Sequence, residues 1–372
     1  FEALLAGQSI TGPGATMAAI APIGWALVVL ALLEWLISLR LPALREGDST
    51  QRFDTRQYLT LRYLRNNLGV VNAEVAIKLS IIGLATFWAI SQVLLAAFPA
   101  FAKETLGVTN TVVIQGVLAC SGIGIAIGSV IAGRASRNYI ETGLLPIAAL
   151  GITLGILVLP GLESTFAMAL AFLLVGVMGG MFIVPLNAIS QFKAEESRLG
   201  TILAGNKWVQ NVAMLGALVL TATFAVAGID SVGLFYILVV VAVIGTGYTV
   251  RKLPHSLARI IATAILKRRY KLDVVGFENL PQSGATLLLG NHISWIDWAL
   301  VQIACPRPVR FVMLRRIYDL CYLKPFFILF CVVPIAAGQS KDSITKINVL
   351  LQRGECVCLF PEGAISRNGH LG

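Results

Sequence analysis

The feature that most constrains this chain is a series of seven apolar runs, at residues 14–38, 75–97, 111–133, 143–160, 166–189, 207–228 and 231–250. Each is about as long as a bilayer core requires, ~20 mostly apolar residues for a spanning helix. In hydrocarbon the backbone must satisfy its own hydrogen bonds, so such runs fold as helices. Composition agrees: charged residues make up only 13% of the 372, about half the usual share of a soluble domain. With 57% hydrophobic residues, the chain also cannot stay solvated and disordered. The first run is too long for a secretory signal, and it lacks a basic lead-in and a small-residue cleavage site. Because the sequence begins with Phe1, a fragment of a longer protein is expected.

Charge in the connecting loops orients the runs. The loops at 39–74, 134–142 and 190–206 hold Arg40, Arg45, Arg52, Arg56, Arg62, Arg65, Arg134, Arg137, Lys193 and Arg198, whereas the alternate loops hold only Lys103. The asymmetry alternates with each crossing, which supports the helix count and places the basic loops on the cytoplasmic side. The tail beginning at Arg251 and Lys252 falls on that same side. It is chemically different from the rest: residues 1–250 carry 13 Lys+Arg against 12 Asp+Glu, but residues 251–372 carry 16 against 7. A neutral apolar part is joined to a smaller basic one.

Within the apolar part, Glu34, Lys78 and Lys207 sit near run ends, where snorkelling accounts for them. Gln92, Asn187, Gln210 and Asn211 lie deeper and are candidates to line a polar cavity, with interhelical hydrogen bonding as the alternative. The pattern Gly122-x-Gly124-x-x-x-Gly128 loosely imitates a nucleotide fingerprint but has no strand before it; together with Gly176 and Gly180 it predicts close helix packing. The long loop at 39–74 interleaves Tyr58, Leu61, Tyr63, Leu64 and Leu68 with Arg56, Arg62 and Arg65. Two readings stay open for it: a basic amphipathic segment at headgroup level, or a solvated linker with a short helix.

One helix, a long basic loop and six more helices resemble the last helix of one half and the whole second half of a major facilitator transporter. Gly128-x-x-x-x-Gly133-Arg134-x-x-Arg137 is similar to that family's glycine-and-arginine loop signature, although the usual acidic residue before Arg134 is absent. The resemblance implies that five preceding helices are missing and that the transport cavity is incomplete here.

The basic third opens with a juxtamembrane segment, Leu257 to Tyr270, whose Ile260, Ile261, Ala264, Ile265 and Leu266 precede Lys267, Arg268, Arg269 and Lys271. Such a cluster beside a membrane helix attracts anionic headgroups; no base-reading module follows, so nucleic acid is not an expected partner. Leu272–Phe277, Thr286–Gly290, Val309–Leu314, Cys331–Ile335 and Cys356–Phe360 read as strands, and Ile296–Ile303 and Ser343–Gln352 as helices. Pro281 and Gly284 mark a turn and Gly354 a helix end, so the alternation points to an α/β domain. The six cysteines show no C-x-x-C spacing and are not grouped with His255, His292 or His370, so no metal is expected. Cys356 and Cys358 read as small side chains buried in a strand, in a reducing compartment.

The chemical centre is Gly290-Asn291-His292-Ile293-Ser294-Trp295-Ile296-Asp297. Ser294 with Asp297 three residues on forms a capping-box pattern, and on a purely structural reading His292 is only a loop histidine. On the functional reading, Asp297 in the first turn folds back to the His292 ring, fixes its tautomer and steadies the imidazolium formed when a hydroxyl gives up its proton. A second element, Phe360-Pro361-Glu362-Gly363, ends another apolar strand, with Arg367 and His370 beyond it. Backbone N–H groups, a carboxylate and an arginine at a strand end suit a glycerol-phosphate headgroup.

Together the two elements resemble the H-x-x-x-x-D and F-P-E-G motifs of the glycerolipid acyltransferases, from about Tyr270 onward and including Val275-Gly276-Phe277-Glu278-Asn279-Leu280-Pro281. The resemblance implies His292 as general base with Asp297 as its partner, and Glu362 and Gly363 at the acceptor-phosphate site. Where members acting on lysophosphatidic acid carry a middle-motif arginine, this chain has Val333-Pro334-Ile335-Ala336-Ala337-Gly338-Gln339. Ala364 and Ile365 replace a threonine and an arginine, leaving Arg367 as a displaced substrate-binding candidate. These departures suit a phosphodiester, and hence lysophospholipid re-acylation.

The union of the two parts resembles bacterial fusions of a lysophospholipid transporter with an acyltransferase. The expected architecture is thus a multi-domain membrane protein: residues 1–252 as a helical major facilitator portion of seven helices, and 253–372 as a cytoplasmic α/β acyltransferase domain truncated at its end. The resemblance implies inward lysophospholipid transport at the bacterial inner membrane, then re-acylation from an acyl carrier protein or coenzyme A thioester, with no cofactor and an acyl-activating domain often following. A basic tail suits an acidic carrier protein or an anionic bilayer. Two rivals stand beside this reading: a phosphatidic-acid-forming enzyme anchored by its helices, and a transporter with a degenerate tail.

Overall fold

The computed structural model describes residues 13–40, 54–137, 139–276, 279–281, 284–305, 307–336, 340–363 and 365. Among them, six helices are long and apolar enough to cross a membrane. In chain order the helices of the apolar part are α1 (Pro13–Ser38), α2 (Thr55–Leu59), α3 (Arg62–Ala73), α4 (Val75–Glu104), α5 (Thr111–Ala135), α6 (Leu144–Val158), α7 (Thr165–Phe192), α8 (Leu199–Val226) and α9 (Ser231–Lys252). The six are α4 to α9, with α6 continued by a 3₁₀ turn to Gly161. The first expected span forms as α1, a helix of 26 residues whose described apolar stretch is Gly24–Ser38. The run expected from residue 207 starts earlier, at Leu199, which leaves Lys207 exposed two turns inside the helix.

By their contacts the residues fall into two compact units. The first comprises Phe1–Gly124, Gly155–Gly176 and Leu186–Val239; the second comprises Ile125–Leu154, Val177–Pro185 and Val240–Gly372. In the first unit, α4 packs along α8, and Val71, Ile77, Ile81 and Ile202 form one cluster. Gly205 makes room for it, since an added Cβ would lie 2.9 Å from a Val71 methyl. In the described part of the central loop, the Asp54 carboxylate accepts the Arg56 and Gln57 N–H groups at 2.9 and 3.3 Å and caps α2. In α3, Tyr63, Leu64 and Leu68 are half-buried while Arg62 and Arg65 stay exposed, an amphipathic helix that both readings of the loop allow. Tyr58 and Leu61 are exposed, and Arg45 and Arg52 lie outside the described residues.

The glycine pattern does what helix packing requires. An added Cβ at Gly176 would strike the Ser121 carbonyl, one at Gly128 the Val177 carbonyl, and one at Gly180 the Ile125 carbonyl and Ser129 N–H. Backbones of α5 and α7 approach this closely only because the side chains are missing. Gly122 is the exception, with open space where its Cβ would be.

The second unit carries α10 (Pro254–Arg269), then β1 (Thr286–Leu289), α11 (Asp297–Ala304), β2 (Val309–Leu314), α12 (Arg315–Tyr318), α13 (Lys324–Leu329), β3 (Val333–Ile335), α14 (Ser340–Gln352) and β4 (Cys356–Leu359). The four strands form one sheet in the order β1-β4-β2-β3, every pair parallel. Its core gathers Val309, Phe311, Phe327, Phe330 and Val332 with Cys305, Cys356 and Cys358. Trp298 on α11 meets Phe311, Phe326 and Phe330 edge-on, at 6.2, 5.1 and 5.2 Å between ring centroids. The strand expected at Leu272–Phe277 does not form: residues 272–276 are irregular, Val275 is 90% exposed, and Gly276 turns the chain at φ +86°. The expected Cys331–Ile335 strand is shortened to three residues because Cys331 sits at φ +48°. Gly354 ends α14 as expected: its φ is +77°, its N–H bonds Leu351 O at 2.8 Å, and Glu355 N–H bonds Leu350 O at 3.1 Å, a Schellman closure.

One ion pair in this unit joins α10 to the loop after α5. Arg259 Nη2 lies 3.0 Å from Glu141 Oε1, both side chains under 10% exposed, and the guanidinium stacks 4.5 Å over the Tyr139 ring. Tyr139 donates its hydroxyl to the other Glu141 oxygen at 3.0 Å. Burial pushes that phenol up to about 12, so it remains a donor at any ordinary pH. The expected apolar face of α10 is split by this contact, with Ile260 packed on the Ala132–Met181 cluster while Ile261 and Ile265 are 49% and 64% exposed.

Candidate active site

Parallel pairing brings two strand ends side by side. β1 and β4 run in register to Leu289 and Leu359, so the residues that follow leave the carboxyl edge of the sheet together. Gly290 N–H donates to Leu359 O at 3.2 Å, and an added Cβ at Gly290 would lie 3.3 Å from the Phe360 ring. The missing side chain lets the chain turn past Phe360, on which the His292 ring stacks at 4.8 Å and 23°.

His292 Nδ1 stands 3.0 Å from Asp297 Oδ2. The same oxygen accepts the N–H groups of Ile293 at 2.6 Å and Ser294 at 2.7 Å. Helix α11 begins at Asp297, not at Ser294, because this carboxylate gathers the loop in front of the helix. The capping box is thus half made: Asp297 binds the Ser294 N–H, while the Ser294 hydroxyl turns to Ile296 N–H at 3.5 Å. One side chain serves the helix start and the imidazole together, so the two readings of the motif describe one arrangement. With Nδ1–H donated to a carboxylate, Nε2 is the ring nitrogen that can take up a proton.

Glu362 joins from the other strand end. The His292 backbone N–H points to Glu362 Oε2 at 3.4 Å, and Glu362 Oε1 is buried with no partner among the described residues. Gly363, at φ +62°, closes the turn by donating its N–H to Phe360 O at 3.2 Å. The structure therefore brings His292, Asp297, Glu362 and Gly363 together; Arg367 and His370 lie outside the described residues. Of the residues singled out in the apolar helices, Gln210 is buried and donates to Asn206 Oδ1 at 2.7 Å, Gln92 and Asn187 are half-buried, and Asn211 is exposed.

Sequence reasoning missed three contributors. Phe360 is the shelf beneath the imidazole, a role its place in the motif does not announce. Asn206 is 1% exposed and lies four residues before Gln210, a spacing that signals one helix face. Arg307 clasps the opposite edge of the sheet, donating to the carbonyls of Pro281, Gly284 and Gly354 and to the Thr286 hydroxyl at 2.7–2.9 Å. The expected burial of Cys356 and Cys358 is met, each at 1% exposure, and burial pushes the Cys358 thiol up to about 12.

With this geometry in place, comparison with known proteins adds the lineage. Residues 3–217, more than half of the chain, match the Major Facilitator Superfamily model. The chain belongs to the major facilitator superfamily. Residues 271–372 match the Acyltransferase family and form its acyltransferase domain. The lysophospholipid transporter LplT of Citrobacter koseri is 31% identical over 160 residues, 42% of this chain and 39% of that protein. The chloroplastic 1-acyl-sn-glycerol-3-phosphate acyltransferase LPAT1 of Arabidopsis thaliana is 28% identical over 158 residues, 40% of this chain and 43% of that protein. BAT2 of Brassica napus, with the same activity in its name, is 27% identical over 158 residues, 40% of this chain and 44% of that protein. Each match thus spans about two-fifths of the curated relative's length. No solved structure matches the chain.

Proposed function

We propose that this superfamily member returns lysophospholipid across the bacterial inner membrane and re-acylates it on the cytoplasmic side. The observation that carries the chemistry is the Asp297 carboxylate fixed between two backbone N–H groups and His292 Nδ1. A base so oriented takes a proton at Nε2 from the free glycerol hydroxyl. The hydroxyl oxygen then bonds to the carbonyl carbon of the acyl thioester, the C–S bond breaks, and the proton passes from the imidazolium to the leaving thiolate. The thioester of an acyl carrier protein or of coenzyme A is the donor in this reading, and its presence in the cytoplasm agrees with the charge asymmetry of the loops.

Glu362 and Gly363 contribute to the acceptor site, with Arg367 as the cation for its phosphate. Glu362 Oε1, buried with no partner among the described residues, supports this, because a buried carboxylate oxygen calls for a donor and a bound polyol supplies one. In the helices, Gln92, Asn187, Gln210 and Asn211 belong to the transport path, and the boundary between the two parts falls at residues 252–253. A second reading, synthesis of phosphatidic acid, is favoured by the names of the plant relatives; the absence of an arginine across Val333–Gln339 speaks for the first.

The test is acyl transfer in membranes containing the full-length protein, with lysophosphatidylethanolamine and lysophosphatidic acid offered in parallel. Wild type is expected to acylate the former, and His292→Ala neither. Activity surviving that substitution removes the mechanism, and preference for lysophosphatidic acid establishes the second reading.

A further inference from the structure

The sheet has a second concavity at the edge opposite His292. A cavity of about 270 Å³ opens where the end of α9 and the start of α10 meet the amino end of β2 and the turn before β3. Lys252, His255, Arg259 and Arg310 line it on the polar side, and Val309 and Phe330 are among its apolar lining. No carboxylate belongs to the lining among the described residues. Arg259 is held by Glu141, and Arg310 by Glu355, both from outside the lining. One cation lacks a counter-charge and one donor lacks an acceptor. Lys252 has no carboxylate partner among the described residues and lies 5.7 Å over the Tyr248 ring. Arg259, only 7% exposed, keeps its Nε–H buried with no acceptor among the described residues. A buried donor left unpaired is costly, and this one belongs to a cation that lines the cavity.

We infer that this cavity binds the phosphate of a glycerophospholipid headgroup, at a site separate from the acceptor site beside His292. The ligand chemistry follows from the lining: several cationic donors against an apolar wall fit a phosphate anion carried on an apolar stem. The lipid source follows from position, because Lys252 is the last residue of a helix long and apolar enough to span the bilayer, the level at which headgroups lie. Partial desolvation by the groups packed around it and the positive charge of Arg310 hold the His255 imidazole below its usual range. The groups facing it are Lys252, Arg259, Arg310 and Cys331, whose Sγ lies 3.1 Å from His255 Nε2. A bound phosphate opposes those cations and favours the imidazolium, so binding tightens as pH falls from 8 to 6.

The experiment is native mass spectrometry of the full chain released from detergent micelles. Phosphatidylglycerol, a diacylglycerol with the same chains and inorganic phosphate are titrated separately and in competition. One phosphatidylglycerol is expected per chain and no diacylglycerol. Binding should weaken about tenfold or more in Lys252→Gln/His255→Asn, since charge-assisted hydrogen bonds are lost. Both side chains are exposed, so the fold survives the change. Unchanged phosphatidylglycerol binding by the double variant overturns the site. Displacement of the lipid by inorganic phosphate at matching concentration overturns the lipid assignment and gives the cavity to a soluble phosphate. Acyl transfer measured on the same samples keeps this result separate from the proposed reaction.

Discussion

The α5–α7 crossing and the β1–β4 strand ends both depend on glycine, and they use it to opposite ends. At the crossing, Gly128 and Gly180 bring two helix backbones together and present nothing chemical. At the strand ends, Gly290 lets the chain pass Phe360 so that His292 can lie on its ring and meet Asp297. The difference is one of hydrogen bonding. A helix in lipid satisfies its backbone internally and has no N–H to spare. A parallel strand that ends at the sheet edge frees its next N–H groups, and here those of His292, Ile293 and Ser294 are what the two carboxylates of the site accept. Closely packed glycines read from sequence therefore mean packing in one half of this chain and site geometry in the other.

The sharpest break in that comparison is Asp297→Asn. The substitution preserves size and can keep one oxygen for the loop N–H groups and Nδ1–H, but it removes the negative charge that stabilises the imidazolium. Acyl transfer is expected to fall by about 10²–10⁴-fold, the worth of a positioned general base, with little change in KM for the lipid. Steady-state rates beside a thermal melt check it; a rate within a few-fold of wild type would make the carboxylate a helix cap and nothing more.

How much was legible in the sequence follows the same division. Spanning helices announce themselves by length, because hydrocarbon thickness sets a local rule, and loop arginines repeat the message. The two motifs were legible because each is a short contiguous string. What escaped was long-range or backbone-determined. Nothing local marks residues 272–276 as unpaired, since an apolar run becomes a strand only if a neighbour accepts it. Glu141 and Arg259 are 118 residues apart; the only trace of their pair is an acidic residue in a basic loop and an arginine splitting an apolar segment. That pair supplies the second test. Arg259→Met strands a buried carboxylate and should cost about 3–5 kcal/mol, whereas Arg259→Met with Glu141→Leu should recover most of the loss. Unfolding midpoints in detergent measure both, and an additive double variant would show that the two charges do not act as a pair.

The smallest expected effect probes the crossing itself. Gly180→Ala puts a methyl against the Ile125 carbonyl and the Ser129 N–H, backbone atoms that cannot swing aside as a side-chain end can. Overpacking of this kind costs about 1–3 kcal/mol. Gly122→Ala, on the same glycine pattern, meets open space and should stabilise α5 by roughly 0.5–1 kcal/mol, because alanine loses less backbone entropy in a helix. Neither change should alter the acyl-transfer rate per folded molecule, since no hydrogen bond of the strand-end site passes through α5 or α7 among the described residues. Opposite signs for Gly122 on α5 and Gly180 on α7 would show that spacing alone does not say which glycine packs. Equal signs would mean that α5 and α7 do not pack through Gly180, and the contrast with the strand ends would lose its first half.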